Sequence, residues 1–167
     1  GLSDGRASEA GIYQDALRAY DFLVQELGVP ATRIVIQGHS LGGVVAAVVA
    51  AQRPVAGLIL EATFARADDL ARRHFFWLPT RWLWRHKFSL DPYLNSLKMP
   101  KLVVHGGRDG IVPLTLGQRL FAALPEPKEF FLIPEADHDD LDSSGGEEYY
   151  RRLQEFCRQV AEKNLAN

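Results

Sequence analysis

Residues Gly38-His39-Ser40-Leu41-Gly42-Gly43 directly follow the apolar run Ile34-Val35-Ile36 and open a run rich in Ala and Val. A chain that passes from a buried strand into a buried helix through a serine set between two glycines has few ways to fold. The pattern G-x-S-x-G puts the serine on a sharp strand-to-helix turn, the nucleophile elbow. Side chains two positions either side of Ser40 are expected to collide across that turn, and Gly38 and Gly42 are expected to remove the clash. Ser40 is then a candidate nucleophile held at the top of a sheet. The amide of Leu41, at a helix N-terminus, is the candidate oxyanion donor. His39 fills the free position of the motif and is assigned no catalytic role. Taken alone, the motif also describes a strand ending in a glycine-rich turn with an incidental serine.

Serine attacks only when a base takes its proton, and the base needs an orienting acid. Lys101-Leu102-Val103-Val104-His105 reads as a buried strand, and Asp109 lies in the loop after it. Glu129-Phe130-Phe131-Leu132-Ile133 reads as another, and His138 lies in the loop after that. Ser40, Asp109 and His138 thus follow three strands, at the carboxyl edge where open parallel sheets bind ligands. Each has a plainer reading: Asp109 as a turn aspartate beside Gly110, His138 as a solvated histidine among acids. Glu61, ending the run Leu58-Ile59-Leu60, is the rival orienting acid. His105 is expected to make a structural hydrogen bond at its strand end. Asp137, Asp139 and Asp140 resemble a metal-binding cluster, but no second ligand group has usable spacing. No metal and no cofactor are expected.

Strands are predicted at 33–37, 57–61, 101–105 and 129–133, each short and nearly continuously apolar, as in a parallel sheet covered on both faces. Ser8 can cap a helix reaching about Leu27, with Ile12, Ala16, Tyr20, Leu23 and Leu27 on one stripe. Further helices are predicted at 41–52, 115–124 and 146–163. The alternation implies a single α/β domain with helices on both sheet faces. Between Phe64 and Met99 the pattern breaks, and all three tryptophans fall within 77–84. These aromatics read as a local mini-core, as the wall of an acyl pocket, or as a membrane-surface element. Phe64, Phe76, Trp77 and Trp82 are the candidate substrate-binding residues.

A chain of 167 residues is long enough for one sizeable core. Its net charge of −2, with both signs mixed, carries no nucleic-acid footprint. The single cysteine, Cys157, excludes an internal disulfide framework and is expected to be a packed thiol. No run of 18 apolar residues suggests a membrane span. No signal peptide is visible, and a cytoplasmic location is the expectation.

Together these segments resemble the alpha/beta-hydrolases, and in particular the serine hydrolases that include membrane-associated esterases and protein depalmitoylases. Gly38 to Gly43 matches the elbow, and Glu61-Ala62-Thr63-Phe64 matches the segment after the next strand. His105-Gly106-Gly107-Arg108-Asp109-Gly110-Ile111-Val112-Pro113 fits the pattern H-G-x-x-D-x-x-V-P, and Ala136-Asp137-His138-Asp139-Asp140 resembles the histidine loop. The resemblance implies Ser40 as nucleophile, Asp109 as orienting acid and His138 as base, acting on an acyl ester, thioester or lipid-like substrate. It also implies that the segment 64–99 is a short cap above the serine. The second oxyanion donor comes, in that family, from a loop after the third strand. No such segment is found here, so N-terminal strands, on the order of 100 residues, are expected to be missing and to be needed to complete the domain. Without them Ser40's strand becomes an exposed apolar edge, and little activity is expected of residues 1–167 alone. The alternatives are a noncatalytic binding domain of the same fold, or an acyltransferase or peptidase using the same three residues. The short cap lends the peptidase reading no support.

Overall fold

The computed structural model describes residues 8–74 and 87–165. Helix α1 (Glu9–Gln25) is followed by a 3-10 turn at Ala31–Arg33, strand β1 (Val35–His39) and helix α2 (Leu41–Gln52). Strand β2 (Gly57–Glu61), helix α3 (Ala67–His74) and strand β3 (Lys101–Gly106) come next, then helix α4 (Leu114–Ala123), strand β4 (Lys128–Ile133) and helix α5 (Leu141–Leu165). The four strands form one parallel sheet in the order β1-β2-β3-β4. This is the α/β layering that the alternating apolar runs imply.

Burial on both faces explains the composition of the strands. Every residue of β2 is buried, because β1 and β3 flank it and helices cover each face. On one face Leu58, Leu60 and Val103 pack with Val44 and Val48 of α2 and Leu116 and Leu120 of α4. On the other, Ile59, Leu102 and Val104 pack with Tyr149, Phe156 and Val160 of α5. Each fully buried aliphatic side chain contributes about 1.5–3 kcal/mol. Such contacts hold α2, which is apolar nearly all round, under the elbow. Ser8 caps α1 by accepting the amide of Gly11 at 3.1 Å.

Local composition misplaced some boundaries. Strand β1 spans 35–39 rather than 33–37, because Ala31–Arg33 is already a 3-10 turn. Its register with β2 carries Gly38 and His39 into the ladder opposite Leu60 and Glu61. Helix α1 stops at Gln25, and Leu23 and Leu27 of the expected stripe are exposed. Leu23, Ile12 and Ala16 instead line an apolar groove of about 670 Å³ along β1, the edge strand among the described residues. Helix α5 begins at Leu141, before the expected 146, but Gly146 breaks it with a φ of 53°. Cys157 is exposed rather than packed, because α5 turns it away from the sheet-facing row of Phe156 and Val160.

The excursion after Phe64 is tied to the domain by its flanks. Arg66 and Ser89 form an antiparallel bridge, and Glu9 of α1 accepts the amides of Lys87 and Phe88. Leu90 and Leu97 are fully buried in the main core. Phe76, Trp77 and Trp82 lie outside the described residues. No helix among the described residues is long and apolar enough to cross a membrane.

Candidate active site

Ser40 sits between β1 and α2 with φ 52° and ψ −124°. A non-glycine residue in that left-handed region costs on the order of 1–3 kcal/mol and persists only where its surroundings hold it. Three hydrogen bonds do so. The Ser40 amide donates to the Glu61 carbonyl at 2.8 Å. The Ser40 carbonyl accepts the Thr63 hydroxyl at 2.6 Å and the Gly43 amide at 3.0 Å. Gly38 is required as the motif predicts: a Cβ there would collide with the Gly42 carbonyl and lie 2.7 Å from the Cβ of Ala46. Gly42 is not, since a Cβ at that position meets no described atom within 4 Å. The clash across the turn is one-sided, because Gly38 faces the first turn of α2 while Gly42 faces open space. Leu41 opens α2, where first-turn amides have no acceptor within the helix.

Asp109 and His138 meet above the ends of β3 and β4. His138 Nδ1 lies 2.9 Å from Asp109 Oδ2, with the residues 5% and 6% exposed. The other oxygen, Oδ1, accepts the amides of Ile111 at 2.9 Å and Val112 at 2.7 Å. A carboxylate only accepts, so Nδ1 of His138 carries a proton, and in the neutral ring the lone pair is on Nε2. That is the tautomer a general base requires.

Two further side chains hold these loops. His105 is fully buried, and its Nε2 donates to the Val112 carbonyl at 2.9 Å, which braces the loop that wraps Asp109. Burial pushes the His105 pKa down, so the ring is neutral and serves structure, as expected from its place at a strand end. Asp137 Oδ1 accepts the amides of Gly110 at 2.9 Å and His138 at 2.7 Å, stapling the Asp109 loop to the His138 loop. Those amides hold the Asp137 carboxyl below the usual carboxylate range. Its own amide donates to Asp140 Oδ1 at 2.6 Å. The acids that look like a metal cluster in sequence therefore include a loop scaffold.

Glu61, the rival orienting acid, is engaged elsewhere. It accepts the Tyr149 hydroxyl at 2.7 Å, and burial together with that carboxylate pushes the tyrosine pKa upward. Ser40 Oγ makes no hydrogen bond to His138 among the described residues, a common state of such pairs before substrate binds. Its neighbour His39 does reach the histidine loop: Nε2 donates to the His138 carbonyl at 2.8 Å, and the two rings lie 4.8 Å apart. A cavity of about 360 Å³ opens beside them, with Glu61, Asp139 and Tyr149 in its wall. Phe64 is 3% exposed and belongs to the main core, not to the cavity walls described here. Sequence reasoning missed that Thr63 bonds the Ser40 carbonyl and that Asp137 ties the His138 loop to Gly110. For Thr63 the available signal was the segment Glu61-Ala62-Thr63-Phe64.

Comparison with known proteins agrees with this layout. The model of the prolyl oligopeptidase family matches residues 6–164. An uncharacterized protein of Mycobacterium tuberculosis is 36% identical over 161 residues, covering 96% of this chain and 57% of the relative. The alpha/beta hydrolase domain-containing protein WAV2 of Arabidopsis thaliana is 31% identical, with 96% of this chain and 58% of the relative covered. The chain thus spans a little over half the length of these relatives. Among solved structures, the Pyrococcus furiosus esterase Pf2001 superposes with a TM-score of 0.77 at 22% identity, covering 96% of this chain and 67% of the esterase. An alpha-beta hydrolase from Vibrio vulnificus gives 0.75 at 25% identity, covering 93% and 60%.

Proposed function

Because this chain belongs to the prolyl oligopeptidase family, within the alpha/beta-hydrolase superfamily, we propose that it carries the catalytic part of a serine hydrolase acting on carboxylic esters or thioesters. The observation that carries the reading is the buried bond from His138 Nδ1 to Asp109 Oδ2, in a chain that also holds a serine at positive φ on a strand-to-helix turn. His138 Nε2 takes the proton of Ser40 as Oγ attacks the acyl carbonyl. Asp109 keeps the imidazole in its tautomer and stabilises the imidazolium. The Leu41 amide donates to the oxyanion, an interaction worth on the order of 3 kcal/mol. The acyl-serine intermediate is then hydrolysed by water activated through the same histidine. Acyl or lipid-like substrates, and contact with a membrane surface, follow from the aromatic segment around Trp77 and Trp82 and belong to the same proposal.

The test uses the full-length protein with a fluorophosphonate probe and a panel of short- and long-chain esters and thioesters. Labelling should map to Ser40, and Ser40→Ala should lower turnover on the order of 10⁶-fold. Normal esterase turnover in Ser40→Ala would refute the assignment, and an intact protein that resists labelling would favour a noncatalytic binding domain. The family match favours a second reading, cleavage of peptide bonds by the same three residues. A peptide amide series run beside the esters separates the two, because only a peptidase turns over the amides at comparable rates.

A further inference from the structure

The wall of the 360 Å³ cavity brings His39 to the adjacent pair His138 and Asp139, 99 positions further along the chain. A ring nitrogen of His39, a ring nitrogen of His138 and a carboxylate oxygen of Asp139 lie within 4.8 Å of one another. From this geometry we propose that His39, His138 and Asp139 form a site for a zinc-like divalent cation, and that its occupancy switches the enzyme off by taking the lone pair of His138. The second half rests on the reading of His138 as the base.

Each imidazole already has one ring nitrogen engaged, as in a metal-ligating histidine. Such a histidine donates its other ring N–H to a carboxylate or a backbone carbonyl, which fixes the tautomer and raises the basicity of the ligating nitrogen. His138 does this through Nδ1 to Asp109, at 2.9 Å. His39 does it through Nε2 to the His138 carbonyl, at 2.8 Å. The nitrogens left with lone pairs are Nε2 of His138 and Nδ1 of His39. Asp139 supplies the oxygen.

Zinc at about 2.0–2.1 Å from each ligand needs them a little over 3 Å apart, with a fourth position open to water. His39 and Asp139 are exposed, so their side chains can supply the remaining approach, that of His39 at the expense of its Nε2 bond to the His138 carbonyl, while His138 stays where Asp109 holds it. Charge agrees with a cation: Glu61 and Asp142 line the same cavity, and no lysine or arginine is among its described lining residues. Imidazole nitrogen with one carboxylate suits zinc better than calcium or magnesium, which prefer all-oxygen sites.

The ligand that completes the site is also the one the reaction needs. While the metal holds Nε2, that nitrogen accepts no proton from Ser40, so inhibition is reversible and ends on chelation.

The test titrates zinc chloride into the full-length, chelator-treated protein by calorimetry, with magnesium chloride as comparison, and follows ester turnover and fluorophosphonate labelling of Ser40 in parallel. The expected result is one zinc per chain, no magnesium heat, and loss of both activities restored by a chelator. His39→Gln and Asp139→Asn, with folding checked by circular dichroism, should each weaken zinc binding at least about tenfold, by comparison with the loss of a supporting contact. Their inhibition curves, each referred to its own zinc-free rate, should shift equally. Absence of zinc binding, or binding that neither substitution weakens, overturns the site. Binding with unchanged turnover overturns the switch. A zinc-free protein with no turnover and no labelling overturns the hydrolase reading and the switch with it, while calorimetry still decides the site.

Discussion

Thr63 donates its hydroxyl proton to the carbonyl oxygen of Ser40 at 2.6 Å, from a fully buried position just past the end of β2. The bond ties the strained residue to a neighbouring strand rather than to its own helix. The Ser40 amide reaches the same stretch through Glu61. Ser40 is thereby held through its amide by the end of β2, which is itself buried throughout, and through its carbonyl by the segment just after it.

Removing that clamp should loosen the serine. Thr63→Val keeps the shape but leaves the Ser40 carbonyl with only the Gly43 amide, a loss of about 1–2 kcal/mol. Urea denaturation should show the lower stability, and fluorophosphonate labelling of Ser40 should slow. Thr63→Ser retains the donor and should recover most of the labelling rate. Wild-type labelling in Thr63→Val would mean that the hydroxyl does not position the nucleophile.

Asp137 should matter through its acceptors, not through its charge alone. Its folded pKa lies below the unfolded value, so its contribution is present above about pH 4 and is lost as pH falls through the folded value. Asp137→Ala should therefore be less stable than wild type near neutrality, with the gap closing in acid. Melting temperatures from about pH 2 to about pH 7 would show it. Esterase turnover should fall in the same variant, because the His138 loop loses its tie to Gly110. A constant gap at all pH values would remove the carboxylate from the explanation.

Lys101 should give a slope of the same sign in an alkaline window. Its ammonium is buried at the start of β3, donating to the carbonyls of Leu97 at 2.9 Å and Met99 at 2.6 Å, and burial pushes its pKa down to about 8. The unfolded chain then binds more protons than the folded one between about pH 8 and the ordinary lysine value, so stability rises with pH there. Tyr13 and Tyr149, held neutral by burial, reverse the trend only above about pH 10, where unfolded tyrosine ionises. Urea titrations from about pH 8 to 10 should show a gain on the order of 2 kcal/mol, absent in Lys101→Met. A flat wild-type profile would contradict a buried, depressed Lys101.

Much of the site was legible because its chemistry is local in sequence. Ser40, Asp109 and His138 each follow an apolar run, and strand ends on one edge of a parallel sheet converge. The same logic stopped short at boundaries. Gly38 and His39 do not read as strand from composition, yet pairing with Leu60 and Glu61 makes them so. Symmetry of the elbow motif suggested two necessary glycines, and packing requires one. Asp109 and Glu61 were both available as orienting acids in the sequence, and their partners separate them: Asp109 meets His138, and Glu61 meets Tyr149.

By itself, the amino-acid sequence determined the layering, the parallel strands and the place of Ser40, Asp109 and His138 after successive apolar runs, because burial pattern and turn chemistry act over a few residues. Only the tertiary structure decided which acid holds His138, that Thr63 secures Ser40, and that His39 stands beside His138 across 99 positions of chain. Those are contacts between loops from different strands. Their distances depend on how the sheet brings the strand ends together, and no spacing along the chain records that.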